Sequence, residues 1–260
     1  MRLNEKDIRG NLGNLFSDLP IILYKITDST NTRAKEYAES GFGGNAVFIA
    51  SEQTAGRGRL GRSFISDEEK GLYLSILLGK DAARLGGLAI TTYMSVIACR
   101  VLERLSPIAP QIKWVNDIYV GGKKLSGILT EGKIDPASGA LDYAVCGIGI
   151  NLFKQSFDDE VRKIATTLED ESGEKIDMNH LVAELLREFF KNLPLVGTKE
   201  IAKEYKKRSF LIGKDVRVIK ANGEYNATVL DITDECELVV KTSDGITELL
   251  FTGEVSLKLN

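Results

Sequence analysis

Residues 112–131 read IKWVNDIYVGGKKLSGILTE, and this stretch decides the fold class that the sequence predicts. Two runs rich in apolar and β-branched residues, 112–120 and 125–131, flank the pair Gly121-Gly122. Two glycines between such runs are typical of a tight hairpin, so we expect two antiparallel strands here. Strands joined by hairpins indicate an antiparallel or mixed sheet and argue against a doubly wound parallel sheet.

The rest of the chain extends this pattern in both directions. The predicted elements are strand 21–26, a helix that follows the N-cap candidates 28–31 and runs to about residue 39, strands 46–50 and 71–78, helix 85–105, strand 140–152, and helices 177–192 and 199–208. From residue 211 to residue 260, short strands alternate with Asn-Gly, Asp-Glu and Asp-Gly turns, a pattern typical of a small SH3-like β-barrel. We therefore predict an α+β protein with three parts: an N-terminal tail or leading helix (1–20), a main domain (21–210) and an SH3-like domain (211–260).

The composition of the chain argues against several classes of function. The 260 residues carry 43% hydrophobic and 27% charged side chains and a formal net charge of -3, so no global basic field favours nucleic acid. The single histidine, His180, excludes histidine-based metal clusters and triads. Cys99, Cys146 and Cys236 lie far apart, which predicts reduced thiols in a cytoplasmic protein. Polar residues interrupt the apolar region 85–105, so no membrane span is expected.

A glycine-arginine stretch, GRGRLGR at 56–62, lies between two predicted strands. It matches the dinucleotide-binding pattern G-x-G-x-x-G, but residues 51–54 separate it from the preceding strand and no helical pattern follows, so we reject an NAD site. Glycines let a backbone approach a ligand closely. Arg57, Arg59 and Arg62 supply planar guanidinium groups that can bind phosphate or carboxylate groups. We expect a mobile loop that wraps a small anion. The alternatives are a solvated basic hairpin and an RNA-contacting segment.

A second group of polar residues lies in the hairpin. A bulge or a strand end near Asn116 and Asp117 would let both side chains reach one site, and Lys113 lies just ahead of them. Lys124 follows the glycine turn, so we expect it near Asp117 across the hairpin. Alone, such a pair is more often a surface ion pair than a site. Asp and Asn beside a phosphate-binding loop suit magnesium, which makes Asp117 the candidate metal ligand.

Several short motifs stand in a fixed order along the chain: Ser29-Thr-Asn31, Gln53, Gly56-Arg-Gly-Arg-Leu-Gly-Arg62, Lys113-Trp-Val-Asn-Asp117, Lys124-Leu-Ser-Gly127, Gly149-Ile-Asn151 and Gly253-Glu-Val-Ser-Leu257. In this order and spacing they resemble the motifs of the biotin protein ligases, over about residues 21–260. Two positions depart from the family pattern, which often has Pro where Val115 stands and Trp where Phe64 stands. Phe64 keeps an aromatic ring at its position.

The resemblance implies a fold and a reaction. Residues 21–210 would form a catalytic domain similar to the core of class II aminoacyl-tRNA synthetases, a mixed sheet with helices. The family activates biotin with ATP and Mg²⁺ to give biotinoyl-5'-AMP, and then transfers the biotinyl group to one lysine of a biotin carboxyl carrier protein or domain. The segment 1–20 is too short for the DNA-binding domain of the bifunctional members, so a monofunctional ligase without DNA binding is expected.

The resemblance also implies roles for individual residues. Those expected to bind biotin are Ser29, Thr30, Asn31, Gln53, Gly56, Arg57, Gly58, Arg59, Lys124 and Gly127. Those expected to bind ATP are Arg59, Arg62, Phe64, Lys113, Trp114, Asn116, Asp117 and Asn151. Lys124, Arg57 and Asp117 are the expected catalytic residues. Lys124 would contact the biotin carboxylate and the α-phosphate, and Asp117 would receive the proton of the incoming lysine or hold Mg²⁺.

Two other functions are weighed against this one. A lipoate-protein ligase shares the fold family and the adenylate chemistry, although the loop GRGRLGR is not expected in it. A non-enzymatic nucleic-acid-binding module could use the barrel and the arginine loop, but the net charge of -3 disfavours it. The expected partner is the carrier domain, with no membrane binding, and the sequence leaves open whether the protein is a monomer or a homodimer.

Overall fold

A mixed sheet forms the centre of the molecule in a computed structural model, which describes residues 3–136, 139, 141–155, 157–220 and 223–257. Its strands are β1 (Ile21–Thr27), β2 (Ala46–Gln53), β3 (Gly71–Leu78), β4 (Gln111–Lys113), β5 (Asp117–Val120), β6 (Lys123–Ile134) and β7 (Leu141–Asn151). They lie in the order β1-β2-β3-β7-β6-β5-β4. Between neighbouring strands, only β1 and β2 pair in parallel over the described ranges. The predicted mixed sheet and α+β class are confirmed.

Helices cover both faces of this sheet. They are α1 (Glu5–Leu12), α2 (Thr30–Glu39), α3 (Lys80–Ala83), α4 (Gly87–Leu105), α5 (Asp159–Ile164), α6 (Leu168–Ser172), α7 (Met178–Lys191) and α8 (Lys199–Arg208). Alternate residues of β2 point to opposite faces: Val47 and Ile49 join the large core under α4 and α7, whereas Phe48 packs with Ala34 of α2. In the described part of the chain, no helix is long and apolar enough to cross a membrane.

Two predicted elements are wrong in their extent. The helix predicted at 85–105 begins at Gly87, because Gly86 has a φ of 86° and its left-handed backbone cannot continue a helix. The strand predicted at 112–120 is two strands, since residues 114–116 form a turn and Lys113 pairs directly with Asp117. Residue 140 at the start of one predicted strand, and residues 258–259 at the end of another, lie outside the described residues.

A smaller sheet follows the helices. Its strands are β8 (Asp215–Lys220), β9 (Gly223–Ile232), β10 (Leu238–Thr242), β11 (Thr247–Leu250) and β12 (Glu254–Leu257). They lie in the order β11-β10-β9-β8-β12, and every pair is antiparallel. Val216 and Val218 of β8 are fully buried while Asp215 and Arg217 are exposed, as expected for a strand with one covered face. The predicted SH3-like sheet is confirmed, and the domain boundary at 210 stays a prediction.

The turn at residues 114–116 joins the two sheets. The buried Trp114 donates its indole N–H to the carbonyl of Cys236 at 2.9 Å. Tyr205 of α8 donates its hydroxyl to the carbonyl of Val115 at 3.0 Å. Because buried hydrogen bonds hold it from two sides, the turn presents the residues that follow it at a fixed position.

Helix α1 belongs to the main core. Its residue Ile8 is fully buried among residues that include those of α7. We expect Ile8→Ala to lower the free energy of unfolding by about 2–4 kcal/mol, because it removes buried methyl groups and leaves a cavity. The matched control is Leu15→Ala: Leu15 is 51% exposed, and we expect a loss below about 0.5 kcal/mol. Urea unfolding measures both changes, and equal losses would contradict the assignment of α1 to the core.

Candidate active site

A cleft with about 890 Å³ of empty space opens beside the turn at residues 114–116. Fifteen of the residues predicted from the sequence line it: Ser29, Thr30, Asn31, Gln53, Arg57, Gly58, Arg59, Arg62, Phe64, Lys113, Trp114, Asn116, Asp117, Lys124 and Gly127. Strand β12 closes one side with Glu254 and Val255. The fold therefore brings motifs from distant parts of the chain into one concave site, the usual form of a small-molecule site.

Gly56 and Asn151 are not part of the lining. The carbonyl of Gly56 accepts a hydrogen bond from the Phe64 N–H at 2.9 Å, and a Cβ on Gly56 would lie 2.3 Å from the Phe64 carbonyl oxygen. Asn151 is buried and donates its amide to the carbonyl of Thr166 at 3.1 Å. Thr166 in turn donates its N–H to the carbonyl of Lys124 at 2.9 Å. Both residues support the walls of the cleft, and their contacts with a ligand stay predictions.

One end of the cleft is polar and is formed where α2 begins and β2 ends. The backbone N–H of Thr30 donates to Gln53 Oε1 at 2.8 Å, and the Thr30 hydroxyl donates to the same oxygen at 3.1 Å. Gln53 then donates its amide to the Ser66 hydroxyl at 3.0 Å. Ser29 precedes α2 and makes no capping hydrogen bond with its side chain. Hydrogen-bonded residues thus surround a position where a polar ring or chain could be recognised.

Asn31 lies behind this polar end and is held on both sides. Ser75 donates its hydroxyl to Asn31 Oδ1 at 2.6 Å. The amide nitrogen of Asn31 donates to Glu131 Oε2 at 2.9 Å and to the Leu129 carbonyl at 3.3 Å. A carboxylate and a carbonyl can only accept, so these partners fix the orientation of the amide.

Glycines of β7 form the floor. A Cβ on Gly149 would lie 2.6 Å from the ring of Phe64, and a Cβ on Gly147 would lie 2.1 Å from Asn31 Oδ1. Real Cβ atoms do not approach other atoms this closely, so the two glycines make room for the Phe64 ring and for the Asn31 amide. Phe64 also contacts Tyr73 edge-on, with ring centroids 6.4 Å apart. The sequence pattern Gly-Ile-Gly in β7 is therefore a feature of the site.

The other end of the cleft is cationic. The lining contains five basic residues and two acidic ones: Arg57, Arg59, Arg62, Lys113 and Lys124 against Asp117 and Glu254. The chain as a whole has a formal net charge of -3, so the positive charge is concentrated at this site. Burial lowers the pKa of Lys113, and the carboxylates of Asp117 and Glu254 oppose that shift. Such a cluster is suited to an anion with several charges.

Lys124 and Asp117 form the predicted pair across the hairpin, with Lys124 Nζ 2.7 Å from Asp117 Oδ1. The two side chains are 33% and 18% exposed. Asp117 Oδ1 is buried and accepts no hydrogen bond from the described residues, so the contact with Lys124 is an ion pair without hydrogen-bond geometry. The site therefore holds a cation and a carboxylate at adjacent positions.

The glycine-arginine loop closes on itself. Gly58 donates its N–H to the Arg62 carbonyl at 2.7 Å, and Leu60 at the tip is 65% exposed with a left-handed φ of 54°. The only helical geometry between residues 51 and 70 is the single turn Arg59–Gly61, so the described chain lacks the helix that a dinucleotide fingerprint requires.

The arginines of this loop hold it against the smaller sheet. Arg59 donates to Asn116 Oδ1 at 3.1 Å and to the Gly253 carbonyl at 2.8 Å. Arg62 forms an ion pair with Glu254 at 2.7 Å. The loop, the turn at residues 114–116 and strand β12 therefore form one wall of the cleft.

A resident metal ion does not fit the donor set. The described residues contain no group of three or more His, Cys, Asp or Glu side chains that could hold one. Asp117 is already paired with Lys124, and Arg59 and Lys113 feel its charge as well. Cations need several oxygen ligands, and the two carboxylates of the lining, Asp117 and Glu254, are each paired with a basic side chain.

Comparisons with known proteins decide the family. The profile of the "Biotin/lipoate A/B protein ligase family" matches residues 23–151, and that of the "Biotin protein ligase C terminal domain" matches residues 211–258. The "Bifunctional ligase/repressor BirA" of Bacillus subtilis is 31% identical over 261 residues, which cover 98% of this chain and 79% of that protein. The chain belongs to the biotin protein ligase family.

Other members of the biotin protein ligase family agree with this assignment. The "Biotin--[acetyl-CoA-carboxylase] ligase" of Mycobacterium tuberculosis is 30% identical over 268 residues, covering 97% of this chain and 95% of that one. Among solved structures, the biotin protein ligase from Aquifex aeolicus in complex with biotin and ATP superposes with a TM-score of 0.79 at 28% identity. The match covers 93% of this chain and 99% of that one.

Sequence reasoning missed two residues that support the site, Ser75 and Glu131, and gave no role to Glu254, although Glu254 lies in the motif Gly253-Glu-Val-Ser-Leu257. Ser75 is a polar residue in a strand whose eight residues are all buried, and a polar residue in an apolar run is a signal that could have revealed it. Glu131 carries no such signal, because a charged residue in a strand is ordinarily solvent-facing. Its position follows only from its contact with Asn31.

Proposed function

We propose that this member of the biotin protein ligase family activates biotin with MgATP and transfers the biotinyl group to a lysine of a biotin carboxyl carrier domain. The observation that carries the proposal is the cleft itself, which joins a polar pocket around Thr30 and Gln53 to a cationic region around Lys113 and Lys124. A ligase of this kind must hold a neutral polar ring at one end and a polyphosphate at the other.

In the first step, a carboxylate oxygen of biotin bonds to the α-phosphorus of ATP, and the bond to the β-phosphate breaks to release pyrophosphate. Both reactants are anions, so positive charge must offset their repulsion. Lys124, at the boundary between the two ends of the cleft, is proposed to contact the carboxylate and the α-phosphate. Arg57 and Gly58 would cover the adenylate.

The remaining predicted residues divide between the two ends. The biotin ring would be held by Ser29, Thr30, Asn31, Gln53 and Gly127, with Gly56 at the base of the loop. The nucleotide would be held by Arg59, Arg62, Phe64, Lys113, Trp114, Asn116, Asp117 and Asn151. Magnesium would enter with ATP as its counter-ion, because the described residues supply no ligand set for it.

In the second step, the amine of the acceptor lysine attacks the acyl carbon, an amide bond forms and AMP leaves with the electrons of the broken bond. The amine must first lose a proton. The Asp117 carboxylate borders the cleft and lies 2.7 Å from Lys124 Nζ, next to the position proposed for the acyl carbon, so we propose that it receives this proton.

The cytoplasm is the proposed location. Cys99, Cys146 and Cys236 are all buried and free, as expected for a protein that folds in a reducing compartment. The carboxylase relationship in the name of the Mycobacterium tuberculosis relative supports a carrier domain as the partner.

Lipoate ligation is the nearest competing function, since one matching profile covers both biotin and lipoate ligases. The second profile and the relatives carry names of biotin ligases, so biotin is favoured.

Exchange of labelled pyrophosphate into ATP tests the proposal directly. We expect exchange with biotin and none with lipoate. Exchange that is independent of biotin, or stronger with lipoate, would overturn the assignment.

A substitution in the floor tests the biotin end. Gly147→Ala would place a Cβ 2.1 Å from Asn31 Oδ1, so the Asn31 amide must move. We expect the KM for biotin to rise by about 10- to 100-fold, since displaced hydrogen bonds to a ligand cost this much. Gly10→Ala is the control, because a Cβ there meets nothing within 4 Å. Unchanged biotin kinetics in Gly147→Ala would show that Asn31 does not bind biotin.

A further inference from the structure

Glu131 of β6 contacts three side chains at once. Its Oε2 accepts from the Asn31 amide at 2.9 Å, and its Oε1 accepts from Lys35 Nζ at 3.1 Å and lies 3.0 Å from Arg57 NH2. The Glu131 side chain is 20% exposed and does not line the cleft, whereas Asn31 and Arg57 do. The Glu131 carboxylate, which is outside the lining, thus contacts two side chains that line the cleft, Asn31 and Arg57.

The contact with Asn31 fixes which atom of the amide faces which partner. The Oδ1 side already accepts from Ser75, and the nitrogen side meets two acceptors, Glu131 and the Leu129 carbonyl. Removing the charge of Glu131 weakens the stronger of these two anchors, since hydrogen bonds to ionised groups are the stronger class. The amide would then lose its defined orientation at the polar end of the cleft.

The contact with Arg57 anchors one side chain of the glycine-arginine loop. Arg57 lies in the glycine-arginine loop and its side chain is 45% exposed. Glu131 Oε1 lies 3.0 Å from the guanidinium nitrogen Nη2 of Arg57. A guanidinium group has five N–H donors, so Arg57 can contact Glu131 and still donate to an anion in the cleft.

We propose that Glu131 is a positioning residue that couples the polar end of the cleft to the arginine loop by orienting Asn31 with one carboxylate oxygen and Arg57 with the other. The inference rests on the proposed function, because it concerns how biotin and its adenylate are held. Burial opposes the ionisation of Glu131, but the hydrogen bonds from Asn31 and Lys35 outweigh it and the pKa of the carboxyl lies below its ordinary value. Glu131 is therefore a carboxylate whenever the enzyme is at neutral pH.

A substitution of Lys35 distinguishes a positioning role of Glu131 from simple ion pairing. It contacts the same carboxylate, but it does not line the cleft. If Glu131 only stabilised the fold through its charge, Lys35→Met and Glu131→Gln would have similar effects. If Glu131 positions ligand-binding groups, only Glu131→Gln should alter ligand binding.

The experiment compares wild type, Glu131→Gln and Lys35→Met in the biotin-dependent pyrophosphate exchange assay. For Glu131→Gln, we expect the KM for biotin to rise by about 10- to 100-fold and the KM for ATP to change by less than about threefold. For Lys35→Met, we expect both values to stay within about threefold of wild type. Equal effects of the two variants, or a wild-type KM for biotin in Glu131→Gln, would overturn the proposal.

Trypsin supplies a second readout that does not depend on turnover. Cleavage after Arg57 in the ligand-free protein should be several-fold faster in Glu131→Gln than in wild type, because the side chain has lost its anchor. Lys35→Met should be cleaved there at the wild-type rate. Cleavage of Glu131→Gln at the wild-type rate would contradict the coupling to the loop.

The exchange assay also separates failure of this inference from failure of the proposed function. If the wild-type protein shows no biotin-dependent exchange, the proposed function fails. If the wild-type protein shows exchange and Glu131→Gln has the same KM for biotin, only the role of Glu131 is removed.

Discussion

Lys124→Ala is expected to slow formation of the adenylate by about 100- to 1,000-fold, the usual cost of removing one group that stabilises a charged transition state. Lys124 lines the cleft, and its Nζ lies 2.7 Å from Asp117 Oδ1. Without the ammonium, the biotin carboxylate would meet both the α-phosphate and an unpaired Asp117. The variant thus removes an attraction and adds a repulsion.

The fold should tolerate this change. Lys124 is 33% exposed and its ion pair is partly solvated, so we expect the free energy of unfolding to change by less than about 1 kcal/mol. Lys123→Ala is the matched control, since Lys123 is the next residue of β6 and is not part of the lining. Stopped-flow or rapid-quench measurement of pyrophosphate release compares the two variants. A normal rate for Lys124→Ala, or an equal loss in Lys123→Ala, would refute the role of Lys124.

Arg59→Met is expected to reduce kcat/KM for ATP by about 100-fold, because charge-assisted hydrogen bonds from a half-buried guanidinium are lost at two places. Arg59 donates to Asn116 Oδ1 at 3.1 Å and to the Gly253 carbonyl at 2.8 Å. It therefore ties the loop to the turn at residues 114–116 and to the smaller sheet, besides adding its charge to the cleft. The resemblance implies that Arg59 binds both substrates, but its hydrogen bonds go to Asn116 and Gly253, so the KM for biotin should change far less.

Arg217→Met provides the matched control for this prediction. Arg217 lies in the smaller sheet, is 56% exposed and pairs with Glu224 at 3.4 Å, away from the cleft. We expect wild-type kinetics for both substrates. Steady-state kinetics with ATP and biotin varied separately will distinguish the cases. An equal loss of affinity for both substrates in Arg59→Met would indicate a general disruption of the site and would contradict a specific contact with the nucleotide end.

The hairpin and the Lys124–Asp117 pair could be predicted from the sequence because both depend on local rules. Two glycines between apolar runs define a turn, and the turn then determines which residues face each other. The sequence predicts one strand over 112–120 with a bulge or a strand end near Asn116, whereas the structure has a full turn at residues 114–116. Its stability comes from Tyr205, which is 90 positions away in the chain.

The contacts of the site depend even more on distant residues. Arg59 and Gly253 are 194 positions apart, and Asn31 and Glu131 are 100 positions apart. A motif indicates that an arginine or an asparagine is present at a suitable place, but it does not reveal which partner fixes its orientation. The residues that face the ligand could therefore be found from the sequence, whereas those that hold them, such as Glu131 and Ser75, required the fold.

Transfer of biotin to a carrier lysine is the most direct test of the proposed reaction. The protein is incubated with labelled biotin, MgATP and a biotin carboxyl carrier domain, and the label on the carrier is located by peptide mass analysis. We expect one labelled lysine, no label without ATP and no label on a carrier in which that lysine is replaced by arginine. An unlabelled carrier, under conditions in which a second biotin ligase labels it fully, would contradict the proposed function.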